Sequence, residues 1–455
     1  MNQSEIEKIN AASLDLLETV GVRLEHDEVL QKVIQAGARP GPSTCEVRVP
    51  REMVREYLSL APSSVRLDAV DGTPTCLTPN SDAVFWTCPV LYIWRGTERR
   101  AILQADLTRV CLFCNHLRNV QGVMGVALAD VPPLERDFVG VRVMAESSHK
   151  HIRALCFSGS GMEALAEMKP VLPGNWFSLG FTAHGPLRWT HLALDVFLKS
   201  AGHKIPLTIN GEPMAGVTGP VTLAGNIVVG NAEILAGIVV NQILEPGRPV
   251  IYNLGLAHVF DMKHATAITG GPENGLLAEA SACLGRHYRL PSSSWVSTES
   301  LFEDEQAALE KTFGFLTHVS SGVNLVWGMG QLESEMTISL AQLAIDNEIV
   351  DFVRRYHRGF KVDDESISLE TIREVGISGS YLEHEHTLAN FRDEIYHPLM
   401  LNRSARTARS RPLVEVAREK AEQLLEDEPG TSLPREVSAE LRRIEEQYRR
   451  KGTST

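Results

Sequence analysis

Apolar residues recur at helical spacing in three short segments near the beginning of the chain, each ended by a residue that stops helices or by a polar stretch. The predicted helices are Ile6–Val20, Asp27–Ala36 and Pro50–Leu60. The stretch Ala83–Arg95 is rich in β-branched and aromatic residues, and Gly96 follows it, which predicts a β-hairpin. Residues 1–100 are therefore predicted to form an α+β lead-in that packs on the next domain.

From about Asp106 to Thr387, short apolar runs alternate with amphipathic segments of helix length. The predicted strands are Gln121–Leu128, Ile152–Phe157, Trp176–Phe181, Ile205–Ile209, Pro249–Leu254, Ser292–Val296 and Val323–Trp327. Such alternation predicts right-handed βαβ units and a parallel sheet. An eighth strand near Ile377–Leu382 closes an α/β fold of the (β/α)8 TIM-barrel type over residues 101–403. A doubly wound open sheet gives similar alternation, but no dinucleotide-binding fingerprint follows the first predicted strand.

The last region, residues 404–455, is charged and rich in arginine and glutamate. It predicts two helices, Leu413–Leu425 and Glu436–Tyr448, separated by Glu428-Pro429-Gly430. Two roles are open to them: packing on the barrel, which the amphipathic pattern favours, or docking a partner protein.

The chain has 455 residues, of which 43% are apolar and 22% charged, so a large core is expected and a disordered protein is excluded. The net charge of −13 argues against a nucleic-acid binder or an anionic membrane surface and suits a cationic substrate. The polar N-terminus, Met1–Lys8, is not a signal peptide, and the seven scattered cysteines suit a reducing compartment. We therefore expect a cytoplasmic protein.

A Cys-x-x-Cys motif at Cys111 and Cys114, with His116 close by, has a spacing that suits zinc. A zinc site needs a second ligand pair at a matching distance, and none is visible nearby. On a helix, cysteines at positions i and i+3 are ordinary members of a buried face. The sequence favours this structural interpretation.

Chemistry in a (β/α)8 barrel lies in the turns that follow the strands. Those turns contain carboxylates and amides at Asp130, His184, Asn210-Gly211-Glu212, Asn253, Thr298-Glu299-Ser300 and Met329–Glu333. No Ser–His–Asp set, Cys–His set or phosphate-binding glycine loop is apparent. The reaction is therefore expected to need neither a nucleophile from the protein nor a nucleotide. Glu233, on a predicted helix, is interpreted as a helix-face charge.

Aromatic residues are scarce, yet several lie at or near predicted strand ends: Trp176, Phe181, Trp295 and Trp327, with Phe85 in the hairpin. Aromatic faces and a carboxylate together form the usual cage for a quaternary ammonium group. The alternative for each residue is simple core packing.

In Glu383-His384-Glu385-His386, His386 is predicted either to hydrogen-bond a substrate carboxylate or to be structural. A barrel enzyme with a metal bound by His384 and His386 is a third possibility.

The resemblance of this sequence to a known family rests on a series of motifs and on their order along the chain. They are Leu17–Val22, Ala36–Ala38, Gly216–Gly225 (GVTGPVTLAG), Asn231–Gly237, Gln242, Pro246–Tyr252, Gly271–Glu273, Asp346–Ile349, Ile372–Gly376, Tyr381–Thr387, Pro398 and Arg403. Over about residues 10–450 the chain resembles the trimethylamine:corrinoid methyltransferase (MttB-like) family.

The resemblance implies a TIM barrel that moves a methyl group from a methylated amine to the Co(I) of a corrinoid. The corrinoid (cobalamin) is carried by a separate partner protein, and no tightly bound cofactor is expected in this chain. The founding members use pyrrolysine, which this sequence lacks; its place falls near Thr298–Ser300. Relatives without pyrrolysine resemble enzymes for glycine betaine, although Glu299, Ser300 and Phe302 depart from the stretch usual in the family.

We therefore expect a corrinoid-dependent methyltransferase of a quaternary amine, glycine betaine or an analogue, that forms a homo-oligomer. The alternative is a catalytically silent member that binds a quaternary ammonium or the corrinoid protein. Direct attack on a quaternary amine leaves the catalytic residues unassigned and requires no metal ligands in this chain. The predicted substrate-binding residues are Phe85, Trp176, Phe181, Trp295, Glu299, Trp327, Glu333 and His386.

Overall fold

The computed structural model describes residues 1–96, 98–403, 411–426 and 433–452. The first elements are α1 (Gln3–Thr19), β1 (Val22–Leu24), α2 (Asp27–Gln35), β2 (Arg39–Pro40), β3 (Glu46–Arg48), α3 (Arg51–Leu60), β4 (Val65–Asp68) and β5 (Pro74–Leu77). Helix α1 begins at a capping box in which Asn2 and Glu5 each accept the other's backbone N–H. The three helices predicted for this region are confirmed.

Eight parallel strands form a closed barrel. They are β6 (Val84–Trp86), β9 (Gly122–Met124), β10 (His151–Arg153), β11 (Phe177–Thr182), β13 (Leu207–Asn210), β15 (Val250–Gly255), β18 (Ser292–Trp295) and β19 (Leu325–Trp327). The predicted (β/α)8 fold is confirmed, and a strand lies within or across each of the seven predicted strand segments.

The eighth strand was expected at Ile377–Leu382, and this expectation is wrong. That segment lies between short helices, with Ile377 and Leu382 almost fully exposed. The barrel is closed instead by Val84–Trp86, which pairs with β19 on one side and β9 on the other. The strand carries buried Phe85 and Trp86, whereas the rejected segment has no apolar surface to pack against. The first barrel strand therefore lies before residue 101, inside the segment assigned to the lead-in.

The barrel is surrounded by helices α4 (Gln104–His116), α5 (Arg136–Ser147), α6 (Gly159–Met168), α7 (His191–Ser200), α8 (Leu223–Leu244), α9 (Pro272–His287), α10 (Glu305–Ser321) and α11 (Leu340–Arg358). Helix α8 is long and apolar enough to cross a membrane, but most of it is buried between the barrel and helices α1 and α3. Its apolar composition is that of a core helix.

Short strands decorate the loops: β7 (Tyr92–Arg95), β8 (Glu98–Ala101), β12 (Arg188–Trp189), β14 (Met214–Ala215), β16 (His258–Asp261), β17 (Thr266–Ile268), β20 (Gln331–Leu332) and β21 (Thr337–Ile338). Strands β7 and β8 form the hairpin predicted at Gly96. β21 pairs with β7. The loops that follow the first and last barrel strands in the chain are thereby joined above the barrel.

One end of the barrel is closed by the β4–β5 hairpin. Val65, Leu67 and Leu77 of this hairpin pack in one apolar cluster with barrel residues such as Trp86 and Leu325. The backbone carbonyl of Asp68 contacts the ring of His151, at the start of β10. The hairpin therefore covers the end where the strands begin and leaves the opposite end, where active sites of this fold lie, as the mouth.

The chain continues after α11 with α12 (Asp364–Ile367), α13 (Leu369–Val375), α14 (Glu385–Glu394), α15 (Leu413–Glu426) and α16 (Arg435–Gly452). Helix α15 packs on α4 and α11, and α16 packs on α5 and α6. Two ion pairs join α16 to α5: Arg442 with Glu146, and Glu445 with Arg142. The two predicted C-terminal helices are confirmed and pack on the barrel; Glu428-Pro429-Gly430 lies outside the described residues.

Candidate active site at the mouth of the barrel

Side chains that point into a parallel barrel alternate along each strand, and the last of them on neighbouring strands meet at the mouth. Asn253 of β15 donates to Asn210 of β13 at 2.9 Å, and Asn210 donates to Thr182 of β11 at 2.9 Å. This chain of hydrogen bonds fixes the orientation of three polar side chains. One wall of the mouth is consequently polar and rigid.

Two tryptophans lie next to each other on β18 and β19, the strands that follow β15 around the barrel. Trp295 ends β18 and Trp327 ends β19, the two residues are register partners, and their ring centroids lie 6.4 Å apart. Both rings are almost fully buried, and neither indole N–H has a hydrogen-bond partner among the described residues. The pair therefore offers two aromatic faces and two unused donors.

Carboxyl groups stand around the mouth at Glu212 and Glu335. Glu212 follows β13 directly, and Glu335 lies in the loop after β19. Burial raises the pKa of Glu212 to about 7. Burial, reinforced by the charge of Glu212, raises the pKa of Glu335 well above its usual value. Two neighbouring carboxyl groups that resist ionisation in this way form a site at which a bound cation would favour the charged form.

The backbone that carries Glu335 is strained. Glu333, Ser334 and Glu335 have φ angles of 59°, 49° and 76°, in the left-handed region that residues with a side chain rarely adopt. Hydrogen bonds from the backbone N–H groups of Glu333 and Ser334 to the carbonyls of Ser300 and Thr298 hold this conformation. The strain is therefore compensated by contacts with the loop after β18.

A buried ion pair supports the start of the same loop. Lys311 Nζ lies 2.8 Å from Asp346 Oδ2, and both side chains are fully buried. Lys311 also donates to the carbonyl of Gly328, and Asp346 accepts from the N–H of Gly330. Next to them, Gln331 donates to the carbonyl of Val296 and keeps its own amide oxygen unpartnered within the described structure. The pair fixes the turn that precedes Glu335 in the chain.

Glu233 was interpreted as a helix-face charge, and the structure shows that this is wrong because its side chain is completely buried. One of its oxygens accepts the N–H of Leu187 at 2.9 Å, whereas the other has no partner among the described residues. Burial raises the pKa of Glu233 to about 7. The carboxyl group joins α8 to the loop after β11.

Below the mouth, Arg153 of β10 points into the barrel. It donates to the carbonyl of Ala154 at 2.6 Å and to Thr208 Oγ1 at 3.4 Å. The guanidinium lies across Gly180 of β11, where a Cβ atom would come within 1.7 Å of Arg153 Nη2. Burial lowers the pKa of Arg153 to about 9. Because Gly180 has no side chain, it leaves the space that the guanidinium of Arg153 occupies.

Three of the aromatic residues predicted to bind substrate lie elsewhere, which corrects the prediction for them. Phe85 packs edge-on against Phe315 of α10, and Phe181 stacks on Phe197 of α7, so both point outward to the helices. Trp176 precedes β11 at the closed end and donates to the carbonyl of Lys169. Each of these rings belongs to the main core, because side chains on alternate strand positions face the helix layer.

The three polar residues predicted to bind substrate all have hydrogen-bond or ion-pair partners within the protein. Glu299 accepts hydrogen bonds from the N–H and hydroxyl of Thr269 and from the N–H of Gly270. Glu333 forms a two-point ion pair with Arg99, at 2.7 and 2.9 Å. His386 begins α14, beyond the end of α11 that lies away from the mouth, and contacts Ser368 Oγ at 2.7 Å. For His386 the predicted place at the mouth is therefore wrong.

Sequence reasoning left Glu212, Glu335 and Arg153 out of the site. Glu212 was visible in a turn after a strand, and Arg153 was visible as a charge inside an apolar strand segment. Glu335 gave no such signal, because it lies two residues beyond Glu333 in a loop of irregular conformation.

Cys111 and Cys114 lie fully buried on α4, where burial raises the pKa of Cys114 to about 12. Their interpretation as a buried helix face is confirmed.

The chain is similar to known proteins both in sequence and in fold. The trimethylamine methyltransferase MttB of Desulfitobacterium hafniense (strain DSM 10664 / DCB-2) is 29% identical, with 98% of this chain and 93% of that protein covered. The glycine betaine methyltransferase of Desulfitobacterium hafniense (strain Y51) is 27% identical over 97% and 95%.

Among solved structures, the monomethylamine methyltransferase MtmB of Methanosarcina barkeri aligns with a TM-score of 0.58. The alignment covers 95% of this chain and 88% of that one at 11% identity, which supports the fold alone. The profile of the family described as trimethylamine methyltransferase (MTTB) matches residues 1–453, nearly the whole sequence. This chain is therefore a methyltransferase that belongs to the trimethylamine methyltransferase (MTTB) family.

Proposed function

We propose that this protein is a cytoplasmic enzyme that moves a methyl group from a quaternary amine, glycine betaine or a close analogue, to the Co(I) of a corrinoid. The corrinoid is bound to a separate protein, which acts as the second substrate. The observation that carries the proposal is that the paired rings of Trp295 and Trp327 lie at the same end of the barrel as the carboxyl groups of Glu212 and Glu335. Aromatic faces stabilise a desolvated quaternary ammonium, and carboxylates balance its charge.

A quaternary nitrogen has no lone pair to protonate, and it leaves as a neutral tertiary amine when a methyl group is removed. In-line transfer therefore needs no acid, base or covalent adduct from the protein. What the chain supplies is orientation and a site with little water, and proximity alone contributes roughly 7–11 kcal/mol in favourable cases. The hydrogen-bonded wall of Thr182, Asn210 and Asn253 gives that site its rigidity.

A methyl acceptor carried on a protein must approach the mouth, and the loops around it expose an apolar ring. The ring consists of Leu91, Leu134, Phe157, Val217, Val221, Met262, Leu301 and Phe302, each in a loop that follows a barrel strand. Exposed apolar side chains grouped on one face mark a protein-binding surface. We assign this apolar ring to the corrinoid protein.

Residues 359–403 support the expected homo-oligomer. No residue of this segment is buried, although it contains three helices and exposes Phe360, Ile377, Leu382 and Leu388. A stable interface buries about 800 Å² on each partner, which an apolar segment of this length can supply. We propose that a second copy of the chain covers it. Mass photometry should show an oligomer for the native chain and monomers for the variant Leu382→Glu/Leu388→Glu.

The function is tested by mixing the purified protein with Ti(III)-reduced cobalamin and separate amines, while the cobalt absorption spectrum is followed. The panel contains trimethylamine, glycine betaine, carnitine, choline and proline betaine. Methylcobalamin should form from a quaternary amine and not from trimethylamine. Trp295→Ala should lower kcat/KM about 2- to 30-fold, the range of one cation–π contact, whereas Tyr356→Ala, on the exposed face of α11, should not.

If free cobalamin does not respond, the assay is repeated with the native corrinoid protein. Failure with both acceptors contradicts the proposed transfer. Tight amine binding without turnover in that case favours the alternative, a catalytically silent binding protein.

A further inference from the structure

Arg153 is a buried cation without an anion. Its side chain points into the barrel, it is 6% exposed, and no carboxylate lies within ion-pair distance among the described residues. Its guanidinium donates to one carbonyl and, at 3.4 Å, to one hydroxyl. A buried charge is normally paired, because taking it out of water costs several kcal/mol.

Two further donors near Arg153 are unused. Ser293 of β18 and Trp327 of β19 line the same small cavity as Arg153 and Thr208. The hydroxyl of Ser293 and the indole N–H of Trp327 are buried and have no partner in the described part of the chain. The cavity leaves no space for a water molecule, so solvent does not satisfy them. Guanidinium, hydroxyl and indole N–H groups together form the donor set that a carboxylate binds.

We infer that Arg153, Ser293 and Trp327 form a carboxylate subsite, and that the substrate is a zwitterion bound with its carboxylate inside the barrel and its ammonium group at the mouth. This inference rests on the proposed function and deepens it. The interior offers positive charge and donors, whereas the rim offers Glu212 and Glu335. A methylammonium carboxylate bound in this direction presents its methyl groups outward.

Entry of the carboxylate requires a side chain to move, because the cavity is narrow. Trp327 and Met124 line it beside Arg153. Rotation of the Trp327 ring would open the subsite and change the environment of its indole. Binding of a carboxylate ligand should therefore change the tryptophan fluorescence of the protein, and the change should be absent from Trp327→Phe.

The test measures binding by calorimetry, without any corrinoid, for three probes that separate the two ends of the substrate. Glycine betaine carries both charges, tetramethylammonium carries the cation alone, and 3,3-dimethylbutyrate is the uncharged-carbon analogue that keeps the carboxylate. The native protein should bind glycine betaine at least about 10-fold more tightly than tetramethylammonium, as charge-assisted hydrogen bonds predict.

Arg153→Met keeps an unbranched apolar stem and removes the charge. It should abolish the preference for glycine betaine and the binding of 3,3-dimethylbutyrate while tetramethylammonium still binds. Trp327→Phe keeps an aromatic face without the N–H, and Ser293→Ala removes the hydroxyl; each should reduce the preference several-fold. These two variants carry the test if Arg153→Met does not fold.

Equal affinity of the native protein for glycine betaine and tetramethylammonium overturns the inference, and so does a preference that survives Arg153→Met. The same binding measurements distinguish a failure of the proposed function from a failure of this inference. If 3,3-dimethylbutyrate binds in an Arg153-dependent manner and no quaternary amine binds, the carboxylate subsite stands and the proposed function fails.

Discussion

Lys311 and Asp346 form an ion pair of 2.8 Å in which both side chains are completely buried beneath the loop after β19. Each side chain also bonds to the backbone of that loop, Lys311 to the carbonyl of Gly328 and Asp346 to the N–H of Gly330. The pair therefore affects the mouth indirectly, because it fixes the turn that leads to Gln331 and Glu335. Its removal is expected to affect stability first and substrate binding second.

Lys311→Met should destabilise the protein by about 3–5 kcal/mol, because it leaves the Asp346 carboxylate buried without its cation. Chemical denaturation followed by circular dichroism measures this change in the free energy of unfolding. The double variant Lys311→Met/Asp346→Leu should recover most of the loss. Arg373→Met, which removes an exposed ion pair with Glu370, is the matched control and should change stability by less than about 1 kcal/mol. A double variant no more stable than the single one would contradict the explanation.

Glu233 should make stability depend on pH. Its pKa in the folded protein is raised to about 7, above the usual value of 4.5, so the folded state holds a proton that the unfolded state releases. Its contribution is therefore fully present below pH 4.5 and is lost as the pH rises through 7. Glu233→Gln should raise the melting temperature at pH 8.5 and change it little near pH 5. An equal shift at both pH values would show that the carboxyl group does not ionise in this range.

Binding of the ammonium group should depend on pH through Glu212. In the free protein the pKa of this carboxyl is raised to about 7, so it is largely neutral at pH 6 and charged at pH 8.5. A cation favours the charged form, and affinity should rise as the pH increases through about 7. Titration of tetramethylammonium at several pH values, in buffers of different ionisation enthalpy, should show proton release on binding. Glu212→Gln should flatten this profile, and a profile unchanged by that substitution would assign the effect to another group.

Acidic substitutions in the apolar ring should weaken the use of the corrinoid protein. Val221→Asp and Met262→Asp place a charge on side chains that are 70% and 67% exposed. They should raise the KM for the corrinoid protein several-fold and leave turnover with free cobalamin unchanged, because the mouth itself is not altered. Tyr356→Asp, on the last turns of α11 and 69% exposed, serves as the control. An equal loss with both acceptors would indicate damage to the barrel.

The sequence alone determined the elements and the fold class. Apolar residues at spacings of three and four predicted α1, α2 and α3, and alternating runs predicted seven of the eight barrel strands. These patterns are readable because the contacts that shape a helix or a strand face lie within a few residues. The same patterns placed Trp295 and Trp327 at strand ends, where the structure has them.

The tertiary structure decided which strand closes the barrel and which polar groups remain open at the mouth. Glu333 is paired with Arg99, which lies 234 residues earlier, whereas Glu335 in the same loop has no ion-pair partner among the residues that the structure describes. Phe85 lies on a strand as predicted, but its ring faces the helices. These outcomes depend on partners that are distant in sequence, and no local period records them, because the barrel brings the partners together only when it closes.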